Sequence, residues 1–532
     1  MLFRTQITLL VLIFANTLSS QTAKPFVEGE ELNINNIIAT INANGRLFTI
    51  ENQPADNTKP GFELKDADGK HSIHTGTLWL GAMHENTFYM CAPTFGQSGT
   101  DIFVGPVMEK TLYKQERSKW NRVWKLSKES IEKHKLLWSM PSYTIPAEIK
   151  DWPAHGDISK GQSKNLAPFI DANHNGIYDP KNGDYPDIKG DQAVLFIYND
   201  MAGPHTESRS FAIGVEVIGM AYAFDMADKT YSNTVFVDYM IRNRSGKDFR
   251  NVKLGVFTDT DLGKDPYNDY AGSDPQRQTY YGYNANRHIR QEVFGKSRTP
   301  FQAVTLLNKK LKGFMAYDND WTYRGNPFYP MDFFCYLHNG WKDGRKLTKG
   351  DRGRTTGKQE AFYMYDGSPL GLGGWNEKSL DNKAGDRRGL GLSEFSDFRN
   401  EEVKHVSVAY SFSIGLRKMQ KNTDKILKHF ANNSGPFYND DNKLPETNGL
   451  ADEANIVLYP NPMDQYTIIS FNSKSDKPYD IRLMDISGKQ IRLYRSITEG
   501  QFKLDRRELN PGVYFVEINR GGDVLVEKLV IN

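Results

Sequence analysis

The strongest constraint on this chain is an alternation that recurs along most of its length. In "TVFVDYMIRN", Val235, Val237, Tyr239 and Ile241 fall on one side of an extended backbone, with Asp238 and Arg242 on the other. In "VSVAYSFSIGL", Val406, Val408, Tyr410, Phe412 and Ile414 line one side and small residues the other. Successive side chains of a strand point to opposite faces, so a period of two reads as half-buried strands. "GTLWLGAM", "AVLFIYND" and "FAIGVEVIGMAYAF" read the same way, separated by Gly, Asn and Asp turns. The 45 glycines, 27 tyrosines and 30 phenylalanines suit a strand-rich, turn-rich protein. The predicted fold class is therefore all-β, with a large β-sandwich-like main region. Helical signal is confined to two stretches. "SKESIEKHKLLW" would start on Ser127 as its cap and bury Ile131, Leu137 and Trp138. "NTDKILKHFAN" would bury Ile426, Leu427 and Phe430.

The chain opens on a processing signal. Met1 to Arg4 gives a positive start, Ile7 to Ala15 ("ITLLVLIFA") an apolar stretch too short for a membrane span, and "NTLSS" small residues for cleavage near Ser20. Residues 1–20 are expected to be a secretory signal peptide. No cysteine follows the cleavage region to carry a lipid, and nothing later reads as a transmembrane span. Export permits a disulfide between the two cysteines, Cys91 and Cys335, but both sit in contexts that read as core strands, and their pairing stays open. Lys plus Arg is 67 against 65 for Asp plus Glu, a net of +2, which argues against a nucleic-acid partner.

Residues 21–430 form the β-rich main region, as one or two subdomains. Residues 431–455 are polar with prolines and glycines and read as a linker. Residues 456–532 resume a compact strand pattern with tight turns at "YPNP", "DISGK" and "NPG". They read as a small immunoglobulin-like β-sandwich. This stretch resembles the type A C-terminal sorting domain of the type IX secretion system of Bacteroidota. The carriers are Pro460-Asn461-Pro462, the "MDISGK" turn from Met484 to Lys489, "LNPGVYFV" from Leu509 to Val516, and the terminal "EKLVI". The resemblance implies passage through the inner and outer membranes and recognition by the type IX outer-membrane translocon. It further implies release, or attachment to surface lipopolysaccharide. The main region, from about Asn35 to Ser413, resembles a group of large secreted Bacteroidota proteins with the same sorting domain and no assigned activity. The carriers there are "LAPFIDANHNGIYDPKNGDYPDIKGDQAVLFIYND", "DTDLG…DYAGSD", "GTLWLGAM" with "GTDIFVGPV", and "GWKDGRKLT".

Two acidic stretches carry candidate chemistry. In "DANHNGIYDPKNGD", Asp171, Asn173, Asn175 and Asp179 take positions 1, 3, 5 and 9 of a calcium loop, Gly176 takes the turn position and Ile177 offers its carbonyl. Position 12 is Asn182, not glutamate, and Pro180 blocks an exit helix. The pattern predicts a calcium loop between strands, closed by Asp184, Asp187 or Asp191. An Asx-rich turn without metal is the alternative. In "TDTDLGKDPYNDYAGSD", Asp259 and Asp261 alternate at the end of an apolar strand, and Asp265, Asp269 and Asp274 follow in a loop. These could form a second calcium site, an acid/base pair for glycoside chemistry, which needs carboxyls at about 5–10 Å, or a solvated loop. Trp152, Trp321, Trp341 and Trp375 lie in polar loops as sugar-stacking residues would, although core packing is the commoner use. His155 and His174 are isolated, and H-E-x-x-H, G-x-S-x-G, Walker and C-x-x-C motifs are absent.

The expectation is an exported, calcium-stabilised cell-surface or secreted protein with a binding or structural role and polysaccharide among its partners. The alternative is a secreted carbohydrate-active hydrolase. A deep cleft holding two carboxyls, one with a shifted pKa, would favour the second.

Overall fold

The computed structural model describes residues 26–531, except 52–57, 66–69, 86, 97–98, 264, 286–297, 356–357, 372, 434–454, 460, 473–477, 486–488, 499–500 and 521–522. The expected signal peptide and most of the expected linker lie outside the described residues. The chain divides into two compact units, Met1–Asn439 and Asp440–Asn532.

The strands that build the main sheets of the first unit are, in chain order, β1 (Thr75–His84), β2 (Thr87–Cys91), β3 (Gln192–Asn199), β4 (Val215–Ala223), β5 (Thr234–Asn243) and β6 (Phe249–Thr260), followed by β7 (Asp269–Asp274), β8 (Thr279–Asn284), β9 (Pro300–Leu306), β10 (Gly313–Asp318), β11 (Arg387–Phe398) and β12 (Val403–Ile414). Among the described residues one sheet runs β10-β11-β6-β1-β2. The larger runs Trp124–Ser127, then β3-β4-β5-β12-β9-β8-β7, with Phe103–Val104 also on β3. The pairings are antiparallel, as an all-β fold with short turns requires.

The alternation is real, but its polar side is not solvated. In β5, Val235, Val237, Tyr239 and Ile241 enter the core shared with the five-stranded sheet. Phe236 and Met240 enter a second core, with Trp124, Ile149, Trp152, Leu166 and Ile426 on the far side. Both faces of the large sheet are covered, so the expectation of half-buried strands is corrected. Asp238, expected to face water, is fully buried and takes a 2.6 Å bond from Lys189 Nζ. The small residues of β12 are buried as well. Full burial of each apolar side chain contributes about 1.5–3 kcal/mol, which two-sided cover applies to nearly every position.

The helices are few. Helix α1 spans Lys110–Trp120. Helix α2 (Lys128–Leu137) starts as predicted, with Ser127 Oγ accepting from Ser130 N. It buries Ile131 and His134, whereas Leu137 is only partly covered and Trp138 is exposed. Helix α3 (Pro330–Leu337) contains Cys335, which is therefore not on a strand. Cys91 ends β2, and both cysteines are free thiols. Helix α4 (Leu416–Asn433) is longer than predicted and buries Ile426 fully, Leu427 and Phe430 partly.

In the second unit, a three-stranded sheet (Asn455–Tyr459, Tyr466–Asn472, Gln501–Asp505) and a four-stranded sheet (Gln490–Ile497, Tyr479–Asp485, Gly512–Arg520, Asp523–Ile531) form an immunoglobulin-like β-sandwich. Its core contains Leu458, Ile469, Ile481, Leu483, Val516 and Leu529. Two of the motifs quoted above meet physically. The Asn461 side chain donates to Lys528 O (2.7 Å) and accepts from Val530 N (2.8 Å), tying this asparagine to the last strand.

Candidate functional site

Antiparallel pairing brings four chain segments to one end of the five-stranded sheet. There β6 ends at Thr260 and β10 at Asp318, while β1 begins at Thr75 and β11 at Arg387. His74, Asp259, Asp261, Asn319, Asp386 and Arg388 sit on or beside these ends. Together with Thr94, Phe95, Glu207, Trp321, Asn326, Pro327 and Phe328 they line a cleft of about 540 Å³.

Register explains the floor. Asp259 pairs with Arg388 across β6 and β11, so both side chains leave the sheet on the same face. Arg388 Nη2 lies 3.7 Å from Asp259 Oδ2, and its Nη1 lies 2.6 Å from Asp386 Oδ1. One guanidinium thus serves two carboxylates. Asp261, two residues on, emerges on the same side, with its Oδ2 3.2 Å from His74 Nδ1. The His74 Nε2 lies 3.0 Å from Thr58 Oγ1. Among the described residues, His74, Asp259 and Asp261 each place a ligand-type atom within 4.8 Å of the others. Asp259 Oδ1 and Asp261 Oδ1 are buried and have no hydrogen-bond donor.

Electrostatics follow from burial. Asp259, its side chain 2% exposed, is held well above the ordinary carboxylate pKa by desolvation, against the pull of Arg388. Asp386 is raised for the same reasons, and burial also raises Glu207, which accepts from Thr94 Oγ1 and from Gly96 N (3.2 Å).

The walls are aromatic. Phe95 lies under Arg388 (5.1 Å to the ring centroid) and edge-on to His74 (5.9 Å). Phe328 carries the Arg209 guanidinium at 3.4 Å and meets Trp321 edge-on at 6.1 Å. Trp321 is 72% exposed, an unusual cost for so large an apolar side chain beside a cleft. Trp152, Trp341 and Trp375 belong to the core, so only Trp321 of the four predicted tryptophans is available for stacking.

The second acidic stretch is thus split. Asp259 and Asp261 enter the cleft. Asp265 caps a short 3-10 turn by accepting from Tyr267 N (3.0 Å). Asp269 is buried, with burial raising its pKa, and accepts from Leu262 N (2.9 Å) and Asn284 Nδ2 (2.8 Å). Residues 269–274 form β7, not the expected loop, and a solvated acidic loop is ruled out for Asp259, Asp261 and Asp269 by their burial. Sequence reasoning missed His74, Asp386, Arg388 and Glu207, which come from distant segments. The available signal was that His74 and Asp386 directly precede strands whose partners end in acidic residues.

The first acidic stretch closes a ribbon in which Phe169–Ile170 pairs with Tyr185–Pro186. Asp171 accepts from Asn175 N (3.1 Å) and Gly176 N (2.7 Å). Asn173 Oδ1 accepts from Asn175 N (3.0 Å), and Asn175 Oδ1 from Ile177 N (2.8 Å). Asp179 collects the amides of Asn173, Asn175 and Asn182 at 2.7–3.1 Å. Asp184 accepts from Ala172 N and Asp179 N, both at 2.9 Å. These side chains face one another. Asp191 turns away, accepting from Asp225 N. Pro180 starts a single 3-10 turn, and His155 Nε2 accepts from Tyr178 N (3.1 Å) in a structural role.

Residues 457–532 match the family model of the secretion system C-terminal sorting domain. The chain is therefore exported to the cell surface or secreted, and its second unit engages the type IX secretion machinery. No curated protein matches the chain. Among solved structures it is similar to a polysaccharide lyase at 7% identity and TM-score 0.23, covering 66% of this chain and 37% of that one. It is also similar to the BSP domain of a biofilm-associated protein, at 10% identity and TM-score 0.14, covering 64% and 59%. A Ruminococcus gnavus β-glucuronidase bound to uronic isofagomine gives 9% identity and TM-score 0.12, covering 49% and 42%. The chain spans less than two thirds of each, and likenesses this slight assign no activity. Among the described residues no helix is long and apolar enough to cross a membrane.

Proposed function

We propose that the main unit is a glycan-binding module, carried to the cell surface or released by the sorting domain. One observation carries this reading. The cleft sets an aromatic wall (Phe95, Trp321, Phe328) against a floor of carboxylates, a guanidinium and an amide. A sugar ring has the matching chemistry, with an apolar face of C–H bonds to stack and a rim of hydroxyls to donate and accept. In the same reading, surface lipopolysaccharide is the attachment partner implied by the sorting-domain resemblance. The Asp171–Asp184 loop takes a structural calcium ion, with Asn173 and Asn175 turning their amide oxygens inward.

A glycan array probed with the full chain tests the proposal. Retention of a polysaccharide class is expected, and Trp321→Ala is expected to weaken it about tenfold, or about 1.4 kcal/mol, the scale of one stacking contact. An array that retains nothing, or binding that Trp321→Ala leaves intact, refutes it.

A second reading is hydrolysis of the captured glycan. It is favoured by the carboxyl oxygens of Asp259 and Asp261, which lie within 4.8 Å of each other in the cleft. A ceiling of 4.8 Å fits the short separation of retaining glycosidases, roughly 5–5.5 Å, rather than the roughly 6.5–9.5 Å of inverting ones. Release of reducing ends from retained glycans separates the two readings.

A further inference from the structure

We propose that His74, Asp259 and Asp261 bind one divalent transition-metal ion, of which zinc is the representative, at the floor of the cleft. Imidazole nitrogen and carboxylate oxygen together suit such an ion, whereas calcium takes oxygen alone. Ligands at about 2.1 Å around zinc stand about 3.4 Å apart. The three donor atoms already lie within 4.8 Å of one another, so small side-chain movements suffice to bring them to that spacing, leaving a fourth position open.

A separate observation points to a ligand. Asp259 Oδ1 and Asp261 Oδ1 have no hydrogen-bond donor, although their side chains are only 2% and 7% exposed. Buried carboxylate oxygens are costly to leave unsatisfied, and both residues line the cleft. Charge points the same way. Among the described lining residues, Glu207, Asp259, Asp261 and Asp386 face Arg388 as the one arginine or lysine, and its guanidinium is shared by Asp259 and Asp386. The orientation of His74 fits as well. Its Nδ1 lies 3.2 Å from Asp261 Oδ2 and its Nε2 3.0 Å from Thr58 Oγ1, so an ion that takes the place of a proton on Nδ1 leaves Nε2–H to donate to Thr58 Oγ1. A histidine ligand is commonly held by such a bond from its other nitrogen.

The rival occupant is a proton on Asp259, and calorimetry with zinc chloride alone separates the two. The full chain, stripped with chelator, is expected to take up one zinc ion per chain. The affinity is expected to fall at least tenfold in His74→Ala and in Asp261→Asn, and to be unchanged in the surface variant Glu132→Gln. His74 is a fifth exposed, so its variant is expected to fold, as near-ultraviolet circular dichroism would verify. A crystal grown with zinc is expected to give an anomalous peak among the three side chains. Absence of saturable zinc uptake, or uptake that both variants leave intact, overturns the proposal. Because zinc binding is measured without sugar, its failure is distinct from failure of the glycan reading.

Discussion

Arg387→Met tests whether the cleft rests on a buried charge network. The Arg387 side chain is 5% exposed and its partner Glu377 is fully buried. Arg387 Nε and Nη2 donate to the two Glu377 oxygens at 3.2 and 2.9 Å, Nη2 also to Lys383 O at 2.6 Å, and Nη1 to Asp318 Oδ1 at 2.9 Å. Methionine matches much of the stem but leaves the Glu377 carboxylate buried without its cation. Breaking a buried pair from one side costs about 3–5 kcal/mol, mostly the penalty on the stranded partner. With an unfolding entropy of about 2.1 cal/mol/K per residue over about 400 residues, 1 kcal/mol moves Tm by about 1 °C, so a drop of about 3–6 °C is expected by calorimetry. Adding Glu377→Gln removes the stranded charge and keeps an acceptor for Ala271 N, which now bonds Glu377 Oε1 at 2.8 Å. The double variant is expected to recover at least half of the loss. If it is as destabilised as Arg387→Met alone, the cost is lost packing and the network argument fails.

Calcium at millimolar concentration is expected to raise Tm, by about 1.4 kcal/mol of stabilisation at tenfold excess over Kd, and Asp171→Asn is expected to abolish the shift in a thermal melt. Glu394 takes a 2.6 Å bond from Lys253 and pairs with Lys312, and these cations hold its carboxyl down at about 2. An acid depressed in the folded state stabilises the fold above its unfolded pKa and loses that contribution as pH falls toward 2. Glu394→Gln is therefore expected to be less stable than the parent at pH 7 by up to about 1 kcal/mol after solvent screening, with the gap closing by pH 2 in acid melts.

Local signals were legible where one strand carries them. The period of two in 234–243 and 403–414 located β5 and β12, and "TDTD" put Asp259 and Asp261 on one side at the end of β6. The covering of the second face was not legible, because Trp124, Ile149 and Ile426 come from segments far apart in sequence. Asp238 shows the consequence. Its charge suggested a wet face, yet a lysine from residue 189 neutralises it in the interior. Most of the site was hidden for the same reason. His74 and Arg388 meet Asp259 only through strand pairing across more than a hundred residues, and nothing local marks a histidine before a strand as a site residue.

The same period of two that builds the core also sorts the cleft from its support. On β6, Thr258 turns inward to Tyr280, with Oγ1 2.9 Å from the phenol oxygen, while Asp259 turns outward to Arg388. On β11, Arg387 turns to Glu377 and Arg388 to the cleft. Neighbouring residues of like charge thus serve opposite faces, one as scaffold and one as site. A one-residue slip between β6 and β11 would exchange them, placing Arg387 in the cleft and stranding Glu377. The register is held against that slip by Val256, Phe257, Leu390 and Leu392, all buried in the shared core. The position of the site is therefore specified by apolar residues outside the lining of the cleft, so core variants that loosen the β6–β11 pairing are expected to damage the cleft before they unfold the unit.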